Sequence, residues 1–506
     1  MKTKGRTKKA MINIVVGIAS EVVSLVCGLI LPRLILSNFG SAYNGITQSI
    51  TQFISVIALM KAGIGGATRA ALYKPLAEGD TREISEVLAS TQKFMRKIAM
   101  VFVIFVLCFA CIYPIFICRD FDWLFSASLI IIISISTFAQ YYFGFTYQML
   151  LMADQRMYIH TIIEIVTTIV YTIVSVILIN AGCTIHIVKL GSAVVNLLSP
   201  MFLYFYVRKK YKLIDIKNPS SDKIPQKWDA TAHEVASFIN NNTDVMVLTM
   251  FTNLLEVSVY TIYHYVITNI KKIVSVFITG FGAAFGDMYV KNEFEEMKIN
   301  LGIYELIMYS FATVLYSTTL VMIIPFVMNY TEGVIDVNYN RPLFAIIITL
   351  AGAFDCFRIP YKSIVLDCGH YKQTRNGAIL EAVINIVISL LAVSRYGIVG
   401  VSIGTLAALS FRTIQYAIYM SKNIIKRKYS YFISHIVISL LVIFIVKELS
   451  KMYLPIINNW GLWIIYAFIT TIISIAITAV SDYLFYREDM FNLIRKLKSN
   501  FKKKKA

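Results

Sequence analysis

Polar and ionisable side chains recur at helical spacing inside stretches that are otherwise apolar. His233, Ser237, Asn240 and Asp244 step by four, three and four, which puts them on one face of a helix. Asn241 lies beside them. Tyr260, His264, Thr268 and Lys271 repeat the pattern in the next stretch, with Lys272 and Ser275 following. Asp355, Arg358 and Lys362 surround Pro360, and Arg412 and Gln415 come later. Asn44, Gln48, Thr51, Gln52 and Ser55 make another polar face that ends near Lys61. Glu21, Ser24 and Arg33 sit in the first apolar stretch. Ionisable groups in hydrocarbon are costly, so they face a wet cavity or one another. The embedded cations are Arg33, Lys61, Lys271, Lys272, Arg358, Lys362 and Arg412. The embedded acids are Glu21, Glu164, Asp244, Glu305, Asp355 and Glu381. The cationic margin is slim, and it grows if some acids face away from the cavity. A net cationic cavity suits an anionic ligand such as a diphosphate.

The expected ligand-binding set is therefore Arg33, Gln48, Lys61, Asn240, Asn241, Tyr260, Lys271, Lys272, Arg358, Lys362 and Arg412. Glu21, Asp244 and Asp355 are the carboxylates able to take a coupling H⁺ or Na⁺. Interhelical ion pairs and snorkelling explain any one of these residues as readily as ligand binding does. Pairing every one of so many buried charges is demanding, which favours function for the set as a whole.

Several kinds of chemistry are missing. No G-x-x-x-x-G-K-[ST] sequence is present, so no P-loop ATPase is expected. Cys108 and Cys111 form a C-x-x-C, but in an apolar stretch without further ligands; packing as small hydrophobes is expected rather than redox or zinc chemistry. The six His are scattered. No metal, no other cofactor and no enzymatic activity are expected.

The elements that must hold these residues are membrane helices. The 506 residues are 57% hydrophobic and only 15% charged, with a mean hydropathy of +0.67. Soluble domains carry about 25% charged residues, so lipid must be the solvent for much of this surface. About fourteen apolar stretches are long enough to cross a bilayer. They run near 11–36, 44–64, 97–118, 122–151, 158–179, 184–207, 233–254, 257–285, 299–328, 342–364, 376–394, 398–420, 430–449 and 459–483. Helix is the open-chain way to satisfy backbone polar groups in lipid, so the fold class is all-α and polytopic. The net charge is +19. Lys and Arg collect at the termini and in the even-numbered connections, with about five in the odd-numbered ones. That distribution excludes nucleic acid as the reason for the charge and predicts both termini in the cytoplasm. Residues 66–97 read as an amphipathic stretch on the cytoplasmic surface. The charged break Arg208–Lys227 predicts a six-helix lobe over 1–210 and a linker over 211–230. A second six-helix lobe over 231–421 and a terminal helix pair with a basic tail over 422–506 complete the plan.

Against this background certain motifs resemble a known family. Asn242-Thr243-Asp244 with Val247-Leu248, then Val257-Ser258-Val259-Tyr260-Thr261-x-Tyr263, is similar to the seventh and eighth helices of Wzx-type polysaccharide flippases. Gly369-His370-Tyr371-Lys372-x-Thr374, Glu381-Ala382-x-x-Asn385 and Gly397-Ile398-Val399-Gly400-Val401-x-Ile403-Gly404-Thr405 resemble their tenth to twelfth. Leu31-Pro32-Arg33, Phe39-Gly40, Tyr43-Asn44-Gly45 and Gly63-x-Gly65-x-Ala67-x-Arg69 are also similar. The resemblance covers most of the chain. It implies the multidrug/oligosaccharidyl-lipid/polysaccharide exporter superfamily, in which two six-helix lobes form a V-shaped cavity and move by alternating access. It further implies export of a polyprenyl-diphosphate-linked oligosaccharide across a bacterial plasma membrane by a monomer, with membrane lipids and a polysaccharide polymerase as partners. A lipid II flippase and a cation-coupled multidrug exporter are the alternatives within the superfamily. A membrane glycosyltransferase or polymerase is the alternative outside it, but the longest outer connection, about Asn329 to Arg341, holds only Glu332 and Asp336 as acids.

Overall fold

The computed structural model describes residues 2–61, 64–117, 120–216, 228–275 and 282–505. Among the described residues the chain is all helix, with no strand. Nineteen helices follow one another. The first eight are α1 Lys2–Phe39, α2 Ser41–Ser55, α3 Ile64–Glu78, α4 Thr81–Ile117, α5 Trp123–Ala139, α6 Phe145–Ala153, α7 Met157–Asn180 and α8 Ile185–Tyr211. Next come α9 Trp228–Phe251, α10 Leu254–Ser275, α11 Gly282–Val290, α12 Phe294–Tyr330, α13 Pro342–Phe357 and α14 Ile359–Asp367. The last five are α15 Tyr371–Tyr396, α16 Ile398–Asn423, α17 Ser430–Tyr453, α18 Trp460–Phe485 and α19 Arg487–Lys505.

Eleven of these helices or helix runs are long and apolar enough to cross a membrane, and twelve if the bent run Ser41–Leu59 plus Ile64–Glu78 counts as one span. The seventh and eighth expected spans are present as α9 and α10, but they are outside that number. In α10, Glu256, His264, Asn269, Lys271 and Lys272 dilute the apolar residues. The chain is a polytopic all-α membrane protein, and its large outward-facing side chains fit that environment: Ile104, Leu107, Ile464 and Phe468 are all more than half exposed. Cys108 and Cys111 are free and lie on the same outward face of α4, so they do not pack in the interior as expected.

Two compact units make up the chain. One holds Met1–Phe238 with Asn253–Ser258, and the other holds Ile239–Thr252 with Val259–Ala506. In the first unit an apolar core gathers Ile46 and Ile50 of α2, Met95, Phe102 and Phe109 of α4, and Leu129 and Ile130 of α5. Gly45 lets α2 touch the backbone at Leu254, where a Cβ would collide with its carbonyl. Residues 66–97 form two helices with one buried and one exposed side. Gly79 adopts φ +76°, which ends α3, and the Asp80 side chain then accepts from the amides of Arg82 and Glu83 at 2.9 and 3.0 Å, starting α4. Ile84, Val87 and Leu88 pack against Tyr147, Leu150 and Leu203. No breaker follows before Pro114, so α4 runs unbroken for 37 residues, where a span of 97–118 was expected.

In the second unit α12 is also 37 residues long. It packs with α17 and α18 through Val321, Met322, Val442 and Val446. Pro360 lacks an amide hydrogen, and the helix is interrupted two residues earlier, at Arg358, between α13 and α14. That interruption lies beside the candidate site.

Candidate functional site

The second unit contains a cavity of about 70 Å³ with charged, polar and apolar walls. It is lined from α9 by Asp244, from α10 by Tyr260, His264, Thr268 and Lys271, and from the α13 end by Asp355 and Arg358. Ser402 and Thr405 of α16 close it. The helical spacing of Tyr260, His264, Thr268 and Lys271 thus does put one face of α10 into one cavity. Gly352 of α13 lets that face come close, because a Cβ there would stand 2.6 Å from Ile267 and 2.7 Å from the Tyr316 ring. A space of this size holds a few waters, an ion or a phosphate-sized group. It does not hold an oligosaccharide.

A chain of charges forms one wall. The Lys271 ammonium pairs with Asp355 Oδ2, and Asp355 Oδ1 pairs with Arg358. Arg358 Nη1 also donates to Glu381 Oε1 at 2.6 Å, and Arg412 Nε lies 3.3 Å from Glu381 Oε2. Arg412 is 1% exposed. Its remaining donors go to the Thr374 carbonyl at 3.2 Å, to Gln415 and to the Tyr416 hydroxyl at 2.7 Å. The guanidinium also stands over the Tyr416 ring, 3.9 Å from its centroid. Three cations (Lys271, Arg358, Arg412) thus face two carboxylates (Asp355, Glu381), so the network carries a net charge of +1. Lys362 is half-buried on α14, outside the cavity lining, and the carboxylate of Asp244, which lines the same cavity, offsets one of the positive charges. Charges this deep persist because they are paired and hydrogen-bonded. An anion entering the cavity would meet this cationic wall at one end and the Asp244 carboxylate at the other.

The other end of the cavity is acidic. Asp244 is 2% exposed. Its Oδ2 accepts from the Tyr260 hydroxyl and from the Thr405 hydroxyl, each at 2.6 Å. The Asn385 carboxamide lies close by and donates to Thr405 at 3.0 Å. Asp244 Oδ1 and Asn385 Oδ1 are buried without a hydrogen-bond partner among the described residues. Asp244 Oδ2 is thus held by hydroxyls.

Of the residues expected from the sequence, the structure gathers Tyr260, Lys271, Arg358, Asp244 and Asp355 around this cavity. Arg412 joins through Glu381, and Lys362 stands nearby. Lys272 is exposed on α10. Arg33, Gln48 and Glu21 belong to the other unit, with Glu21 exposed on α1 and Gln48 half-buried on α2. The side chains of Lys61, Asn240 and Asn241 lie outside the described residues. Asp355, expected to bind a coupling ion, is held between two cations. Glu381, Asn385 and Thr405 are the site residues that spacing alone did not single out. Glu381 and Asn385 are four apart on α15 and share a face, which is the signal they offered.

No family model matches the chain. No curated protein matches it either. Solved structures do share its fold. The inward closed conformation of the lipid II flippase MurJ superposes with a TM-score of 0.71 at 14% identity, covering 95% of this chain and 99% of that one. An inward-facing multidrug resistance MATE family transporter of the MOP superfamily gives 0.55 at 14% identity, over 78% and 92% of the two chains. The Vibrio cholerae MATE transporter VcmN in its bent form gives 0.53 at 13% identity, over 83% and 98%. The fold of this chain is therefore the one these flippase and transporter structures share.

Proposed function

We propose that this protein flips a polyprenyl-diphosphate-linked oligosaccharide from the cytoplasmic to the outer leaflet of a bacterial plasma membrane, for cell-surface polysaccharide synthesis. The observation that carries this reading is the cationic wall of one cavity, the Lys271–Asp355–Arg358–Glu381–Arg412 network with its net +1, set opposite Asp244. A diphosphate is the part of such a substrate that hydrocarbon rejects most strongly, and fixed cations with few competing waters attract it. Lys271 is the member best placed to meet it: all three cations are paired with carboxylates, but the Lys271 side chain keeps about a third of its surface exposed while Arg358 and Arg412 are buried. The prenyl tail stays in lipid.

Energy for the cycle has two sources in this reading. A negative-inside potential favours outward movement of an anion, by about 2.3 kcal/mol per charge per 100 mV if the charge crosses the whole field. A monovalent cation or proton at Asp244, drawn by the unpartnered Oδ1 atoms of Asp244 and Asn385, supplies the other. The excess of Lys and Arg in the even-numbered connections supports cytoplasmic termini. The likeness of fold to the lipid II flippase MurJ supports flipping of a lipid diphosphate, and lipid II itself is the second candidate substrate.

Outer-leaflet labelling of the lipid-linked oligosaccharide in proteoliposomes tests the proposal. Transfer that needs the chain and is lost in Lys271→Ala supports it. The rival reading, a cation-coupled multidrug exporter, draws on the same fold and on the carboxylate of Asp244. It requires drug efflux with no change in the labelled lipid.

A further inference from the structure

The first unit contains a second and larger cavity, of about 390 Å³, inside the usual range of about 300–1,000 Å³ for small-molecule sites. None of the residues expected from the sequence to bind ligand or coupling ion lines it. Its walls come from α1, α5, α6, α7, α8 and the wide helical turn Gln140–Gly144 that joins α5 to α6. That turn has π-helical geometry, of the kind that often marks a functional site. Gly144 lets it approach α8, since a Cβ there would stand 3.2 Å from the Pro200 ring.

The lining is distinctive in what it offers. Three carboxamides (Gln140, Gln148, Asn196) and seven serine or threonine side chains face the cavity. The carboxamides make no hydrogen bond to another described residue, so three donor–acceptor pairs are presented to the space. No lysine or arginine lines it, and the one carboxylate, Glu164, lies 3.4 Å from His160 Nδ1. A phosphate would find no cation. An organic cation would find a single carboxylate already facing an imidazole, and no aromatic face among the lining residues. Groups that both donate and accept, in number and without net charge, match adjacent hydroxyls that do the same.

We infer that this cavity binds an uncharged, polyhydroxylated group, a neutral sugar. On the flippase reading, that sugar would belong to the glycan part of the substrate. The inference rests on the flippase reading for why a sugar arrives there, and it can fail separately, because sugar binding is measured without transport.

The experiment uses the purified full chain in detergent and follows its thermal unfolding by size exclusion. The probes are glucose, galactose, rhamnose and N-acetylglucosamine at tens of millimolar, with tetraphenylphosphonium as a cationic control. At least one sugar should raise the midpoint by a few degrees, and the shift should saturate. Gln140→Ala/Asn196→Ala should abolish the shift, while Asp244→Asn should keep it. If the double variant does not yield a monodisperse peak, Asn196→Ala alone should weaken the apparent affinity about tenfold. A chain that no sugar stabilises overturns the inference. So does a double variant that responds like its parent, or stabilisation by tetraphenylphosphonium alone that disappears in Glu164→Gln. Sugar binding in a chain that flips nothing would leave this cavity standing and remove the flippase reading.

Discussion

Replacing Glu381 by Gln should destabilise the protein severely, and removing Arg412 as well should restore much of the loss. Glu381 bridges Arg358 at 2.6 Å and Arg412 at 3.3 Å, and it is 4% exposed. Two unit charges about 4 Å apart interact by about 4 kcal/mol at an effective dielectric near 20. Breaking a buried pair by removing one partner costs about 3–5 kcal/mol, because the other charge stays buried. Arg358 would keep Asp355. Arg412 would keep only neutral acceptors: the Thr374 carbonyl, Gln415 and the Tyr416 hydroxyl. The network charge would rise from +1 to +2, with the cost concentrated at Arg412. In Glu381→Gln/Arg412→Met the count returns to +1, and the coupling energy in the cycle should reach about 1–3 kcal/mol. The assay is the thermal midpoint of each purified variant, read by size exclusion in one detergent. Glu381→Gln as stable as the parent would refute the reasoning. So would a double variant whose loss equals the sum of the two single losses.

Three further outcomes follow from the same geometry. Lys271→Ala leaves Asp355 paired with Arg358, so membrane insertion and thermal midpoint should change little while outer-leaflet delivery falls by at least about tenfold; undiminished delivery would take Lys271 out of the substrate path. Asp244→Asn should remove any dependence of transport on a Na⁺ or H⁺ gradient while keeping the Tyr260 and Thr405 contacts, measured as flipping rate against imposed gradients. Gly352→Ala should cost about 1–3 kcal/mol by pushing α13 away from Ile267 and Tyr316, read as a lowered midpoint that Gly66→Ala, with open space at its Cβ position, does not show.

The sequence made the helices of this fold legible because apolar length and the limits of a lipid solvent leave few alternatives. Among the described residues each expected span coincides with helix over all or part of its length, and eleven or twelve of the fourteen are long and apolar enough to cross a membrane. The amphipathic residues 66–97 are helical too, and Gly79 and Asp80 supply the stop and the start that divide them into α3 and the first turns of α4. The site was legible in part. The period of Tyr260, His264, Thr268 and Lys271 located one wall, since helical spacing is local. Which acid meets which base was not local. Asp355 sits three residues before Arg358, yet it is also claimed by Lys271, far away in sequence, and that pairing is what sets it apart from Asp244. Thr405 enters the site through tertiary packing of α15 and α16, which no spacing announces, and the shared face of Glu381 and Asn385 does not say which residues it meets. The polar cavity of the first unit escaped notice for a related reason. Ser, Thr, Asn and Gln scattered over five helices and a π turn have no common period, and uncharged side chains draw no attention in an apolar stretch.

The central claim is that this chain moves a diphosphate-linked oligosaccharide between leaflets. The most direct test is to deplete the protein in cells and quantify that lipid intermediate in extracts, with an impermeant probe to report the outer leaflet. The account predicts that the intermediate accumulates, is shielded from the probe, and that surface polysaccharide falls. An intermediate that stays at its normal level, or accumulates while fully accessible from outside, would contradict it.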